Sequence, residues 1–175
     1  MLHPFIENMA LRNSVNAALQ RGTPVYRRDV DIALRNELKS DLKVWLSALG
    51  RRYIHWVYDA DSYYGEIERL RDAINKTHSQ ILNPGMITLG VAQKCVSLYL
   101  KYLWLMGQPG KMPLFPPIDG KVMRAVGVDA PVGFKQIETR DQMQEILGRI
   151  EARARAEGYR TATLWEADWW DDKDE

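Results

Sequence analysis

Cysteine and histidine, which often bind transition metals, are scarce in this 175-residue chain. Cys95 is the single cysteine, so the chain can form no internal disulfide, no four-cysteine zinc site and no four-cysteine iron–sulfur cluster. The three histidines, His3, His55 and His78, lack the spacing of metal ligands. We therefore expect no metal, no iron–sulfur cluster and no other cofactor.

Long apolar runs are also missing. The most apolar stretch, Cys95–Met106, has about 12 residues and contains Lys101, whereas a membrane-spanning helix needs roughly 20 apolar residues. The segment Met1–Gln20 is mixed and lacks the basic start and apolar run of a secretory signal. These absences predict a cytoplasmic protein with no membrane partner.

Charge of either sign is in little excess, with 24 Lys and Arg against 23 Asp and Glu, a balance that by itself argues against a nucleic-acid partner. The distribution is uneven, however. Residues 166–175 hold six acidic residues and one Lys, so they carry −5 while residues 1–165 carry about +6. The charge of the body of the chain is therefore compatible with DNA.

The remaining composition is that of a globular protein, with 46% hydrophobic and 27% charged residues. Hydrophobic residues recur at helical spacing, which predicts a mainly α-helical single compact domain over residues 1–165 and an acidic tail over 166–175. The predicted helices are Asp31–Leu49 with Gly50 as its C-cap, a helix capped by Asp61 or Ser62 that reaches Leu82, Gly90–Met106, Ile118–Val126, and a helix capped by Thr139 or Asp141 that reaches Ala156. Tyr53–Tyr58 is interpreted as a short strand or another helix, and Tyr159–Leu164 as a short strand.

The predicted helix Gly90–Met106 is apolar on nearly all sides, and Lys94, Ser97 and Lys101 share one face of it. The simpler interpretation is that this face is exposed to solvent, and we expect this of Lys101 in particular. Lys94 differs because it lies in the first turn, where the positive end of the helix dipole disfavours an ammonium group. The dipole and partial burial both favour the neutral amine, which is the form that a nucleophilic lysine requires.

Two further signals lie in the segment 83–127. The turn Leu89-Gly90-Val91-Ala92 would present backbone N–H groups at a helix N-terminus, an arrangement that binds a phosphate, although a purely structural turn is the alternative. Asp119 follows two prolines in a stiff segment, where it can cap the next helix. A capping role and a functional role of this carboxylate are compatible.

The sequence Gly90-Val91-Ala92-Gln93-Lys94, followed by Pro117-Ile118-Asp119, resembles the helix–hairpin–helix, Gly/Pro–Asp (HhH-GPD) superfamily of DNA glycosylases. Members of that superfamily carry a glycine-rich hairpin and then a Pro-Val-Asp sequence. The Lys-dependent 8-oxoguanine DNA glycosylase/lyase branches are the most similar, because they have a lysine where Lys94 falls and an aspartate where Asp119 falls. The resemblance covers about 45 of the 175 residues and implies a helix–hairpin–helix motif.

The resemblance also implies an enzyme that flips a modified base out of double-stranded DNA and attacks C1′ with Lys94. Asp119 would stabilise the positive charge that develops on the sugar. The resulting imine would permit β-elimination, and hence abasic-site (AP) lyase activity. The implied DNA-binding groups are three backbone amides and two basic side chains: Gly90, Val91, Ala92, Lys121 and Arg124.

A flipped base needs a pocket with aromatic faces. The aromatic residues expected there are Trp56, Tyr58, Trp104 and Phe115, each of which can instead pack in the core. The expected substrate is an oxidised purine, as in the similar branches, or a hypermodified phage base that is removed in antiviral defence.

Two other classes of protein stay open. The first is a non-catalytic helix–hairpin–helix DNA-binding module, in which Lys94 contacts a phosphate and Asp119 only caps its helix. The second is a helical interaction protein that binds no nucleic acid and uses its Trp-rich acidic end, which contains Trp165, Trp169 and Trp170.

Overall fold

The computed structural model describes residues 3–19, 25–55, 57–107, 112–128 and 133–171. These residues form seven α-helices and no strand, which confirms the predicted mainly α-helical fold class. The helices are α1 (Pro4–Leu19), α2 (Ile32–Tyr53), α3 (Ala60–His78), α4 (Leu89–Leu105), α5 (Gly120–Ala125), α6 (Arg140–Ala156) and α7 (Ala162–Asp171), and 3₁₀ helices cover Ser79–Ile81 and Phe134–Gln136. In this part of the chain no helix is both long and apolar enough to cross a membrane.

α4 is the central helix of the fold. Nearly all of its residues from Leu89 to Leu103 are buried, as expected for a helix that is apolar on all sides. α1, α2 and α3 pack around it, and the contact with α1 is the most extensive. These neighbours leave one face of α4, which carries Lys94, for the site described below.

The sequence pattern does not predict α1, because Met1–Gln20 mixes polar and apolar residues. Ala10, Ser14 and Ala18 lie four residues apart on one face of α1 and are fully buried. The Ser14 hydroxyl donates a hydrogen bond to the Ala10 carbonyl oxygen at 2.8 Å. Small side chains on this face allow close helix packing, without the large apolar stripe from which helices are usually predicted.

α2 continues through Gly50 to Tyr53, so the prediction of Gly50 as its C-cap is wrong. Gly50 is buried against α4, and a Cβ atom there would lie 2.9 Å from Tyr99 Cε1. The glycine therefore permits the close approach of two helices rather than ending one of them. The prediction of a strand or another helix at Tyr53–Tyr58 is also wrong, because Tyr53 ends α2 and a turn follows.

α3 begins slightly earlier than predicted. Its N-cap is Asp59, whose carboxylate accepts a hydrogen bond from the Ser62 N–H group at 2.8 Å, so the caps predicted at Asp61 or Ser62 are wrong. The α-helix ends at His78, and a 3₁₀ turn extends it to Ile81, close to the predicted end at Leu82.

The turn between α3 and α4 contains a cis peptide bond between Asn83 and Pro84, followed by Gly85 at a φ angle of 112°. Thr88 caps α4, whose first residue is Leu89. The two helices expected on either side of this turn are thus present, while their assignment to a helix–hairpin–helix motif stays a prediction.

The C-terminal part of the fold agrees with one predicted cap and differs from one predicted strand. Thr139 caps α6, as one of the two predicted caps, but the strand predicted at Tyr159–Leu164 is wrong because α7 begins at Ala162. The Thr161 hydroxyl accepts a hydrogen bond from the Leu164 N–H group at 3.2 Å, which favours a helix start. Since α7 continues to Asp171, the predicted boundary between a domain ending at residue 165 and a tail beginning at 166 falls inside a helix.

Candidate active site

Lys94 is the sixth residue of α4, and its side chain is only 4% exposed. It lies in the second helical turn rather than in the first as predicted, so the helix dipole acts on its amine less than expected. Its Nζ atom lies 3.5 Å from Asp119 Oδ2 and 4.3 Å from the centroid of the Phe134 ring. The amino group is therefore held between a carboxylate and an aromatic face.

Asp119 is the N-cap of α5, in the segment where a helix was predicted. Its Oδ1 atom accepts hydrogen bonds from the backbone N–H groups of Lys121 at 2.8 Å and Val122 at 3.0 Å. Its Oδ2 atom faces Lys94. One oxygen thus caps the helix while the other pairs with the amine, which confirms the predicted cap, and a functional role of Asp119 stays a prediction.

Gln93 attaches the loop before α5 to α4, a function that sequence reasoning missed. The residue is fully buried, and its Nε2 atom donates a hydrogen bond to the Pro116 carbonyl oxygen at 3.1 Å. Ile118 of the same loop is also fully buried. Because Gln93 precedes Lys94 in α4, these contacts fix Asp119 opposite the lysine. The available sequence signal was an amide side chain outside the polar face of a helix that is mainly apolar.

Lys94 and Asp119 line the same pocket, which has a volume of about 390 Å³ and opens to the surface. α4 contributes one face to this pocket, α7 another, and the loop before α5 a third. The lining residues are Ala17, Lys94, Leu98, Lys101, Tyr102, Leu105, Pro117, Asp119, Glu166, Ala167 and Trp170.

A second charged pair faces this pocket. Lys101 is 7% exposed, so the prediction that it is exposed to solvent is wrong. Its Nζ atom lies 2.7 Å from Glu166 Oε2. Glu166 is 1% exposed, because α7 packs it against the domain. Burial raises the pKa of Glu166 to about 7, against the opposing effect of Lys101. Sequence reasoning missed Glu166 since it stands in a run of acidic residues that resembles a solvated tail.

The shifted carboxyl group predicts a pH-dependent stability. Burial raises the pKa of Glu166 from its usual 4.5 to about 7. The folded protein therefore binds this proton more tightly than the unfolded chain, and the free energy of unfolding falls as pH rises through this window. Between about pH 4.5 and pH 8 we expect the free energy of unfolding to fall by about 3 kcal/mol more in the unaltered protein than in Glu166→Gln. Urea denaturation at both pH values measures it, and identical pH dependence in the two proteins would contradict it.

The backbone N–H groups of the turn residues Gly90, Val91 and Ala92 all have partners within the protein. The prediction that they are free to bind a phosphate is therefore wrong. The Gly90 N–H group donates to the Ile137 carbonyl oxygen at 2.9 Å, and those of Val91 and Ala92 donate to the side chain and carbonyl of Thr88. All three residues are buried. The segment around Phe134 covers them, a contact that the local sequence does not indicate.

Gly90 is instead a packing residue, which predicts a large effect of substitution. A Cβ atom at position 90 would lie 1.7 Å from the Phe134 carbonyl oxygen, so backbone must move. We expect Gly90→Ala to lower the free energy of unfolding in urea by about 3 kcal/mol or more. Gly148→Ala is the matched control: no atom lies within 4 Å of its added methyl group, and it should gain about 0.5–1 kcal/mol of helix stability. Equal stability of the two variants would contradict this role of Gly90.

Lys121 and Arg124, the two basic side chains expected on DNA, are both exposed on α5. The Lys121 Nζ atom lies 4.3 Å from the centroid of the Trp170 ring, and Trp170 lines the pocket. Lys121 is therefore placed at the edge of the site. Contact of either residue with DNA stays a prediction.

The aromatic residues predicted for the base pocket lie elsewhere. Tyr58 stacks on Tyr53 at a centroid distance of 5.0 Å, and Phe115 packs 5.0 Å from Tyr63, in an aromatic cluster of the core. Trp104 lies on α4 outside the pocket-lining face, and Trp56 lies outside the described residues. The base-pocket prediction is therefore wrong for Tyr58, Trp104 and Phe115. Tyr102 and Trp170 are the aromatic side chains that line the pocket.

No match to this chain was found among protein-family models, curated proteins or solved structures. Within the described residues, no three His, Cys, Asp or Glu side chains are grouped as metal ligands. The charged side chains that line the pocket form two pairs, Lys94–Asp119 and Lys101–Glu166.

Proposed function

We propose that this protein is a Lys-dependent DNA glycosylase that excises a modified base from double-stranded DNA. The observation that carries the proposal is the separation of 3.5 Å between Lys94 Nζ and Asp119 Oδ2 at the wall of one pocket. An amine and a carboxylate held this close supply the nucleophile and the stabilising charge that base excision needs. The resemblance of the surrounding residues to the HhH-GPD superfamily supports the same activity.

The reaction begins with a flipped nucleotide in the pocket. The neutral Lys94 amine attacks C1′ of the deoxyribose as the bond from C1′ to the base breaks. Asp119 stabilises the positive charge that develops on the sugar in the transition state. The nitrogen of Lys94, now bound to C1′, then expels the ring oxygen O4′, which takes a proton from that nitrogen as the C1′–O4′ bond breaks. The resulting Schiff base between Lys94 and C1′ permits β-elimination of the 3′ phosphate and strand cleavage at the abasic site.

The pocket suits a nucleobase in size and chemistry. Its volume of about 390 Å³ falls in the range of about 300–1,000 Å³ that is typical of small-molecule sites. Tyr102 and Trp170 offer aromatic faces for stacking, and Lys101 and Glu166 offer a donor and an acceptor to the polar edge of a base. An oxidised purine and a hypermodified phage base are the two substrate classes that we propose.

The alternative function is a non-catalytic helix–hairpin–helix DNA-binding module. It would use exposed basic side chains such as Lys121 and Arg124, which the chain has. It would also need Lys94 and the amides of the turn on DNA phosphates. Lys94 is 4% exposed and paired with Asp119, and the turn amides have partners within the protein, so these observations favour the enzyme.

Base release from duplex oligonucleotides tests the proposal. Separate duplexes carry one 8-oxoguanine, one 5-hydroxymethylcytosine or one glucosylated 5-hydroxymethylcytosine, and an unmodified duplex is the control. We expect release from at least one modified duplex and not from the control. Binding at low salt without release from any duplex would favour the DNA-binding module. Absence of both binding and release would favour the helical interaction protein.

A further inference from the structure

The candidate site contains two carboxyl groups in different surroundings. Asp119 accepts hydrogen bonds from two backbone N–H groups and pairs with Lys94. Glu166 is 1% exposed, and among the described residues its carboxylate has one hydrogen-bond donor, Lys101. Asp119 is therefore suited to stabilise positive charge, because two N–H groups of α5 hold its carboxylate in place and its other oxygen faces the Lys94 amine. Glu166 is the carboxyl group of this pocket that is suited to exchange a proton.

The environment of Glu166 supports this difference. Burial favours the neutral carboxylic acid, whereas the ammonium group of Lys101 favours the carboxylate. The effect of burial is the larger of the two, so the pKa of Glu166 is raised to about 7. A group that titrates near neutral pH can both accept and donate a proton there, as general acid–base catalysis requires. Pairs of carboxyl groups with such divided environments are typical of sites in which each has its own role.

We propose that Glu166 is a catalytic acid of this site, which protonates the departing base and recovers its proton from the Lys94 ammonium group. This role rests on the proposed glycosylase function and adds a residue of α7 to Lys94 and Asp119. Under this proposal α7 contributes to catalysis as well as to the pocket, one wall of which it forms through Glu166, Ala167 and Trp170.

The proton balance of the step is complete within the site. The Lys94 ammonium group first transfers one proton to the Glu166 carboxylate, which gives a neutral amine and a carboxylic acid. The amine lone pair then forms a bond to C1′, and the bond from C1′ to the base nitrogen breaks. Its electron pair stays on the base, which takes the proton from Glu166. The base leaves neutral, and Glu166 returns to the carboxylate.

Charged groups from several elements face α7 and Glu166. α4, α5 with its cap, and the end of α6 contribute them, and α1 contributes only the uncharged Ala17 to the pocket. Lys94, Lys101 and Asp119 act on Glu166, while Lys121 and Glu157 contact Trp170 and Trp165 of α7. Lys94 and Lys101 favour the Glu166 carboxylate, Asp119 favours the acid, and burial has the largest effect.

Glu166→Gln tests the role, because glutamine keeps the size of the side chain and can still accept a hydrogen bond from Lys101, but it carries no acidic proton. Asp168→Asn, at an exposed position of the same helix, is the matched control. Two reactions are followed between about pH 5.5 and 9. One is single-turnover base release from the modified duplex that the protein accepts. The other is borohydride trapping on a duplex with a preformed abasic site, which needs Lys94 but has no departing base.

We expect Glu166→Gln to slow base release by about 10²- to 10³-fold and to remove its pH dependence near 7. Trapping on the abasic duplex should fall by less than about tenfold, because no base is protonated there and solvent can accept the Lys94 proton in place of Glu166. An unchanged rate of base release, or an equal loss in both reactions, would overturn the role of Glu166 while leaving the proposed function in place. Absence of base release by the unaltered protein would overturn the proposed function and this role with it.

The variant Glu166→Asp provides a second test of the role of Glu166, and this test does not depend on whether the glutamine variant folds. Aspartate keeps the acid on a shorter side chain, so base release should be slower but should retain its dependence on pH near neutrality. A rate of base release that is independent of pH in Glu166→Asp would overturn the proposal.

Discussion

Lys94→Gln is expected to abolish covalent trapping of the protein on DNA and to slow base release by roughly 10⁴-fold or more, the scale of loss when an enzyme loses its nucleophile. Glutamine has a chain of similar length but no amine, so neither attack at C1′ nor a Schiff base is available. Borohydride trapping and single-turnover base release on the accepted modified duplex measure the two effects.

Lys76→Gln is the matched control, because Lys76 is an exposed lysine of α3 that does not line the pocket. It removes the same charge from the chain and should leave both reactions unchanged. Circular dichroism of each variant shows whether the helical fold is retained. Trapping that persists in a folded Lys94→Gln variant would assign the nucleophile to another amine and refute the role of Lys94.

Asp119→Asn is the second substitution with a large expected effect. Asparagine is as good an N-cap as aspartate, so α5 should keep its start, while loss of the charged partner of Lys94 lowers the free energy of unfolding. The variant loses the negative charge 3.5 Å from Lys94 Nζ, which the transition state needs near the sugar. We expect base release to fall by about 10²- to 10³-fold, the usual scale for one electrostatic stabiliser of a transition state.

Asp59→Asn controls for the capping role, since Asp59 caps α3 through the same kind of hydrogen bond. It lies outside the pocket lining, so its variant should release base at the normal rate. Thermal unfolding of both variants checks that neither cap is lost. Normal base release by a folded Asp119→Asn variant would reduce Asp119 to a helix cap and would remove the carboxylate from the mechanism.

The sequence predicts a good part of this arrangement from local signals. The apolar character of Gly90–Met106 correctly indicates a buried helix, and Lys94 stands out because it is a charged residue in such a helix. The Pro-Ile-Asp sequence correctly places a cap at Asp119. Helical spacing also puts Lys94 and Lys101 on one face, and both line the pocket.

The predictions fail where distant parts of the chain meet. Glu166 pairs with a lysine 65 residues earlier, and no local pattern distinguishes it from the other acidic residues near the C-terminus. The local sequence predicts a helix cap at Gly50 and a phosphate-binding turn at Gly90. Each glycine instead allows another segment to approach closely, Tyr99 of α4 in one case and the backbone of Phe134 in the other.

The prediction of the aromatic residues that line the base pocket fails for a related reason. The dense aromatic run that contains Tyr58 packs on itself and on Phe115, as large rings do in cores. The rings that reach the pocket, Tyr102 and Trp170, come from helices that are distant in the sequence. Trp170 belongs to the Trp-rich acidic end, and its position beside Lys94 and Asp119 follows only from the packing of α7.

The most direct test of the account is to identify the residue that becomes attached to DNA. The unaltered protein is incubated with a duplex carrying the accepted modified base, reduced with borohydride and digested, and the cross-linked peptide is sequenced by mass spectrometry. The account predicts a single reduced adduct on the amine of Lys94. An adduct on a different lysine or on the terminal amine, or base release with no adduct at all, would contradict it.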